Sequence, residues 1–269
     1  MKLAGSVCIV TGSATGAGAA CAIQLARKGA RVVVNYSRSE NDARATLQAC
    51  EDAGAQAILV RADVSSDADC RALAQAALDK WGRIDGLVNN AGITKFAAPS
   101  DLDALSAEDF QHIYAVNVIG PYQMIRACVP AMKQQGKGSI VNVSSISGVL
   151  GVGSSTAYVA SKGALNVMGL ALARALAPTI RLNTVLPGMI ETRWHKDRFD
   201  AEGYARFKTE YEKTVPLAKA ATPDDVAEVC VWLLEGGDVV TGEAIFVDSG
   251  LHLGSAEAAA ETARFRPGA

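Results

Sequence analysis

Short apolar runs punctuate the chain at 7–11, 31–36, 57–61, 86–89, 139–144, 181–186 and 244–247, each rich in Val, Ile or Leu. Runs this short and this continuously apolar suit strands buried on both faces, as in a parallel sheet. Between them lie longer segments of helical character at 18–28, 40–53, 67–81, 107–134, 157–177 and 223–234. Boundary residues support these spans. Gly29 and Gly54 follow helices, where a left-handed cap is wanted. Ser106 with Asp109 three residues on makes a near capping box, and Thr222-Pro223 gives an N-cap with proline at the first helical position. Alternating strand and helix predicts right-handed crossovers and a single α/β domain over 1–254, a doubly wound parallel sheet of about seven strands with helices on both faces. The segment 189–215 has no strand pattern. The tail 255–269 is rich in Ala and Glu, and it is expected to fray or form helix.

Composition narrows the function classes. Hydrophobic residues make up 49% of the 269 positions, enough for a full core. The 26 basic and 28 acidic residues leave a net charge of -2, without the basic surplus of a nucleic-acid footprint. No apolar run approaches the roughly 20 residues of a membrane span. No leader pattern follows Met1-Lys2, so a cytoplasmic protein with neither nucleic-acid nor membrane partner is expected. Cys8, Cys21, Cys50, Cys70, Cys128 and Cys230 form no Cys-x-x-Cys pair and read as small buried hydrophobes in a reducing compartment. His112, His195 and His252 lack metal-ligand spacing, so no metal is expected.

The first strand runs straight into Thr11-Gly12-Ser13-Ala14-Thr15-Gly16-Ala17-Gly18, which opens the first helix. Glycines at such a turn let backbone approach a pyrophosphate, which the helix amides then hold. A Walker-type loop is excluded, because no Gly-Lys-Ser/Thr follows. Farther on, Tyr158 and Lys162 stand four residues apart, one helical turn on a shared face. An ammonium there would stabilise a phenolate and pull the tyrosine down from about 10. Tyr204 and Lys208 repeat the spacing but have no catalytic reading. Context separates the two pairs: ahead of Tyr158, the strand 139–144 delivers hydroxyls at its C-terminal end, where doubly wound sheets bind ligands.

The spacing Thr-Gly-x-x-x-Gly-x-Gly, the Tyr158-x-x-x-Lys162 pair and Ser145 ahead of it together resemble the short-chain dehydrogenase/reductase family, with its single-domain Rossmann-type fold. The matches span residues 6 to 250. Ala17 stands where that family usually has isoleucine. The resemblance implies that Tyr158 passes a proton to the substrate oxygen, Ser145 orients that oxygen, and Lys162 holds the nicotinamide ribose. It implies that Asn117 positions a relay water, in a helix that the family kinks at such a residue. Cofactor contacts implied in the same way come from Gly12, Ser13, Thr15, Gly16 and Ala17 in the turn, and from Asn90, Ala91 and Gly92 after the fourth strand. Asp63 and Val64 would flank the adenine, with Pro187, Gly188, Ile190 and Thr192 at the nicotinamide end.

Cofactor choice is read after the second strand, in Asn35-Tyr36-Ser37-Arg38-Ser39. Tyr36 occupies the place of the acid that would accept ribose hydroxyls, while Ser37 and Arg38 offer donors and positive charge to a 2′-phosphate. NADP(H) is favoured over NAD(H), although Thr15 replaces the basic residue usual in the turn. The expected partner is a small carbonyl or alcohol, carrier-bound forms included, and 3-oxoacyl-acyl-carrier-protein reductase is the first guess. Sugar or polyol dehydrogenase is the alternative, and a non-catalytic dinucleotide sensor is the rival of another class. Segment 189–215 would lid the site. Its Trp194, Phe199, Tyr204, Phe207 and Tyr211 either line it or, as the helical spacing of the last three favours, pack one face of a short helix. Relatives pair through helices equivalent to 107–134 and 157–177, so a homotetramer is expected.

Overall fold

The computed structural model describes residues 1–254; the tail 255–269, expected to fray or form helix, lies outside them. Seven parallel strands form one sheet in the order β3-β2-β1-β4-β5-β6-β7. They are β1 (Val7–Val10), β2 (Arg31–Tyr36), β3 (Ala57–Arg61), β4 (Gly86–Asn89), β5 (Gly138–Val143), β6 (Ile180–Pro187) and β7 (Ala244–Val247). The helices are α1 (Gly16–Arg27), α2 (Glu40–Asp52), α3 (Asp67–Trp81), α4 (Ala107–Tyr114), α5 (Gly120–Gln134), α6 (Ser147–Leu150), α7 (Thr156–Leu176), α8 (Arg193–Lys196), α9 (Ala201–Thr214) and α10 (Pro223–Glu235). This is the single-domain, doubly wound α/β architecture expected from the alternation of runs.

Strand pleating explains why the apolar runs are continuous. In β1, Cys8 and Val10 point into one core with α1 and α10, whereas Val7 and Ile9 point into the opposite core with α3 and α5. Both faces are covered, so neither parity can be polar. Leu87 of β4 is fully buried, as is its β5 neighbour Ile140. Each such side chain contributes on the order of 1.5–3 kcal/mol by leaving water.

The anticipated caps form. Ser106 and Asp109 make a reciprocal box at α4, and Thr222 and Asp225 make another at α10. One element departs from expectation. The helix expected as continuous over 107–134 is interrupted by a π-helical turn at Ala115–Ile119. Asn117 sits in that turn, fully buried, and its side chain bonds both the N–H and the C=O of Ile93. A polar side chain anchored outside the helix makes the widened turn the accommodating geometry. Segment 189–215, read as lacking strand, contains α8 and α9. The sheet order reverses between β1 and β4, so their C-terminal ends open a crevice above the sheet.

Candidate active site

That crevice is a cleft of about 540 Å³, within the usual range for small-molecule sites. At one end stand Ser37, Arg38, Asp63 and Val64; the turn Gly12, Thr15, Gly16, Ala17 lies in the middle; Ser145, Tyr158 and Lys162 close the other end. Asn90, Ala91, Gly92, Pro187, Gly188, Ile190 and Thr192 line it as well. Two candidates do not. Ser13 is turned into the protein: its hydroxyl donates to the Val10 carbonyl and accepts from Asn35 N–H, and its own N–H is taken by the Asn35 carbonyl. Asn117 lies behind the wall, where its amide also donates to Ser161 Oγ at 3.0 Å.

The turn is held by close packing. A Cβ on Gly12 would stand 2.8 Å from Ala91 Cα, and one on Gly18 would stand 2.3 Å from Asn90 Nδ2. Asn90 uses that amide to grip the Thr11 and Gly12 carbonyls, both at 3.0 Å. Asn35, which the sequence reading passed over, accepts the Gly12 N–H at 2.9 Å and donates to the Ala62 carbonyl. Its signal was an amide directly after the run Val32-Val33-Val34. At α1, Thr15 forms no side-chain cap, and no acidic residue occupies the first turn. The helices α3, α4, α9 and α10 have both. An uncapped, acid-free helix start on a cleft leaves amides free for an anion. The cradle thus fits a dinucleotide phosphate.

At the reactive end, β5 delivers Ser144 and Ser145 just past Val143, and α7 delivers Tyr158 and Lys162 one turn apart. Ser145 Oγ donates to Ser147 Oγ at 3.0 Å and accepts the Ser147 N–H. Ser155 caps α7 by accepting the Tyr158 N–H, which fixes where the phenol emerges. Lys162 is buried; Nζ donates to the Val143 carbonyl at 3.1 Å and lies 5.6 Å from the centre of the Tyr158 ring.

The electrostatics correct the sequence expectation. Without bound ligands, Tyr158 is not pulled down: burial pushes the phenol up to about 12, against a smaller downward pull from Ser145. Burial lowers Lys162 to about 8. Burial thus opposes the charged form of both groups, raising the phenol and lowering the ammonium. At the opposite end, the Asp63 carboxyl is held below its usual range, first by the Ser65 hydroxyl, with smaller contributions from Arg38 and His112.

Above the reactive end, Trp194 of α8 lies 5.8 Å from the Tyr158 ring and lines the cleft with His195. The other lid aromatics turn away from it. Phe207 stacks on Phe199 at 5.2 Å, and the Tyr211 hydroxyl accepts the Met189 N–H. Tyr204 and Lys208 sit on α9, where Lys208 pairs with Glu191 at 2.8 Å, away from the reactive end. Among the described residues, no cluster of three His, Cys, Asp or Glu could hold a metal, and no helix is long and apolar enough to cross a membrane.

Comparison with known proteins finds relatives of the same fold along most of the chain. A family model described as enoyl-(acyl carrier protein) reductase matches residues 12–252. A protein named as ketoacyl reductase 2 of the granaticin polyketide synthase, from Streptomyces violaceoruber, is 41% identical over 92% of this chain and 96% of its own length. The 3beta-hydroxysteroid dehydrogenase 1 of Eggerthella lenta is 36% identical over 93% of this chain and 95% of its own. A crystal structure described as a short-chain dehydrogenase/reductase from Burkholderia xenovorans superimposes with a TM-score of 0.85 at 39% identity, covering 93% of this chain and 99% of that one.

Proposed function

The chain belongs to the short-chain dehydrogenase/reductase family, oxidoreductases acting on CH–OH and C=O groups, and on that premise we propose that it is an NADP(H)-preferring carbonyl reductase with Tyr158 as its acid. The observation that carries the reading is the convergence of Ser145, Tyr158 and Lys162 at one end of a cleft whose other end holds Ser37 and Arg38. When bound, the dinucleotide supplies the hydride. Tyr158 gives its proton to the carbonyl oxygen as negative charge gathers there. Burial keeps the phenol protonated, the form that this step uses. Ser145 exchanges its Ser147 partner for the substrate oxygen and stabilises the developing charge. Lys162 would hold the nicotinamide ribose, and Asn117 fixes Ile93 behind it. In the cofactor cradle we place Gly12, Thr15, Gly16, Ala17, Asp63, Val64, Asn90, Ala91, Gly92, Pro187, Gly188, Ile190 and Thr192, as their position on the cleft supports.

A 3-oxoacyl thioester, carrier-bound or free, is the substrate class we favour, with the likeness to the Streptomyces ketoacyl reductase as support. Exposed Ile119 and Tyr122 beside and on α5, with Val167 and Leu170 on α7, support a homo-oligomer closed through those helices. Six buried free cysteines suit a reducing cytoplasm. Titration with NADPH and NADH, then turnover on acetoacetyl thioesters and sugars, tests the proposal. Tighter NADPH binding with thioester reduction is the expected result. Turnover of sugars alone would move the substrate to the polyol class, and tighter NADH binding would remove the role given to Arg38. Dinucleotide binding without any turnover would leave a sensor.

A further inference from the structure

We infer that Arg193, the first residue of α8, is a lid-borne ligand for the dinucleotide pyrophosphate, positioned from outside by Asp42. Neither residue stood out in the sequence. Folding brings them together across 151 positions: Arg193 Nη2 donates to Asp42 Oδ2 at 2.9 Å. Arg193 lines the cleft, whereas Asp42, on the first turn of α2, does not. The carboxylate therefore holds the guanidinium from the solvent side. This is the one hydrogen bond that Arg193 side-chain atoms make among the described residues, so most donors of the guanidinium fork stay open.

The preceding residue sets where those donors lie. Thr192 Cγ2 is 3.3 Å from the position a Cβ on Gly16 would take, so the chain enters the lid directly over the glycine turn. That turn has Thr15 where a cation would help, and its own residues bring no positive charge to a pyrophosphate. A planar guanidinium with open donors, oriented by a carboxylate and placed over the turn, matches the geometry of phosphate oxygens. One consequence concerns the lid. With Arg193 on the phosphate, the lid is tied to the cofactor as well as to α2. The inference rests on the dinucleotide reading above, but not on the choice between NADP(H) and NAD(H).

The test is binding rather than turnover: NADPH and NADH are titrated into wild type, R193Q, R193K and D42N, with adenosine as a ligand lacking phosphate. R193Q should weaken both dinucleotides by a similar factor of about ten, the value of one charge-assisted contact, and leave adenosine unchanged. R193K should recover part of the loss, since lysine restores the charge without the fork. D42N should cost about twofold or less, because an ion pair this exposed contributes little by itself. Loss confined to NADPH would assign the cation to the 2′-phosphate and overturn the inference. Unchanged binding of both would reduce the pair to surface decoration. R193Q leaves an exposed position, and an unaltered thermal melt with R193K as second variant separates lost contact from lost fold. Wild type that binds neither dinucleotide would overturn the cofactor reading itself, a different outcome from a wild type that binds and an R193Q that binds equally.

Discussion

The strand edge that carries the turn and Ser145 differs sharply from the segment 189–215 that arches over it. At the edge, Ser13, Asn35, Asn117, Ser145 and Lys162 are all buried and each has a named protein partner, although Asn89 Oδ1 and Asn142 Nδ2 of the adjoining strands have none. In the arch, neither α8 nor α9 has a fully buried residue. His195 Nδ1 and Tyr204 Oη are shut off from solvent without a hydrogen-bond partner there. The arch is tied to the rest of the domain by the Ile190–Ala221 bridge, the Arg193–Asp42 ion pair, the Trp194–Tyr158 contact and the bond from Ala220 N–H to Glu212. Few buried contacts mean a low local opening energy, and the dense burial at the edge means a high one. Atoms that must meet a transferred hydride within tenths of an ångström are fixed by core packing. The segment over them presents a surface with far fewer buried side chains.

Mutations can break or sharpen that contrast. The largest effect is expected at the edge: Tyr158→Phe should lower turnover by about 10²–10⁴-fold while dinucleotide affinity stays within about twofold. Steady-state rates beside a binding titration check it, and retention of more than a tenth of the rate would take the acid role from Tyr158. Stability offers the next comparison. Leu87→Ala, in the middle of the sheet, should cost about 2–5 kcal/mol in urea unfolding. Phe207→Ala, half-buried in the lid, should cost only about 1 kcal/mol, mainly the lost stack on Phe199. Equal costs would mean that the lid is part of the cooperative core.

A third effect is read against pH. Lys162 is held at about 8 in the folded chain and titrates near 10.5 when unfolded. Between those values the unfolded state binds the extra proton, so this group makes stability rise with pH and withdraws that gain as pH falls through about 8. Tyr158 acts oppositely: held at about 12 against an ordinary 10, its contribution is present below pH 10 and lost towards 12. Urea unfolding of wild type and Lys162→Met across about pH 7 to 10 should show the difference moving in favour of wild type as pH rises. A flat difference would mean that Lys162 is hydrated in the folded chain. The smallest effect belongs to the arch: Trp194→Phe should raise KM by about three- to tenfold with kcat nearly constant, the scale of one aromatic contact. A fall in kcat instead would make Trp194 part of how Tyr158 is aimed.

Much of the fold was legible because two independent periodicities agreed. Continuous apolar runs named the strands to within a residue or two at each end, and the capping residues Ser106 and Thr222 marked helix starts that do form. The break at Ala115–Ile119 was less legible. Asn117 could be flagged as a kink, but the bonds to Ile93 that anchor it come from a loop 24 residues away. In the same way, Trp194 could be suspected of lining the site, but its position over Tyr158 depends on how α8 lies across the sheet edge.

By itself, then, the sequence determined the alternation of strands and helices, the glycine turn and the Ser145, Tyr158 and Lys162 spacing, because local periodicity and short-range geometry control all of these. Tertiary structure alone decided that Ser13 faces inward, that Arg193 meets Asp42, and that Tyr158 stands above its ordinary value rather than below it. Burial and long-range contact are properties of the assembled layers. A charge pair four residues apart reads the same on paper in water or in a dry cleft, and only the packing around it sets which form of each group survives.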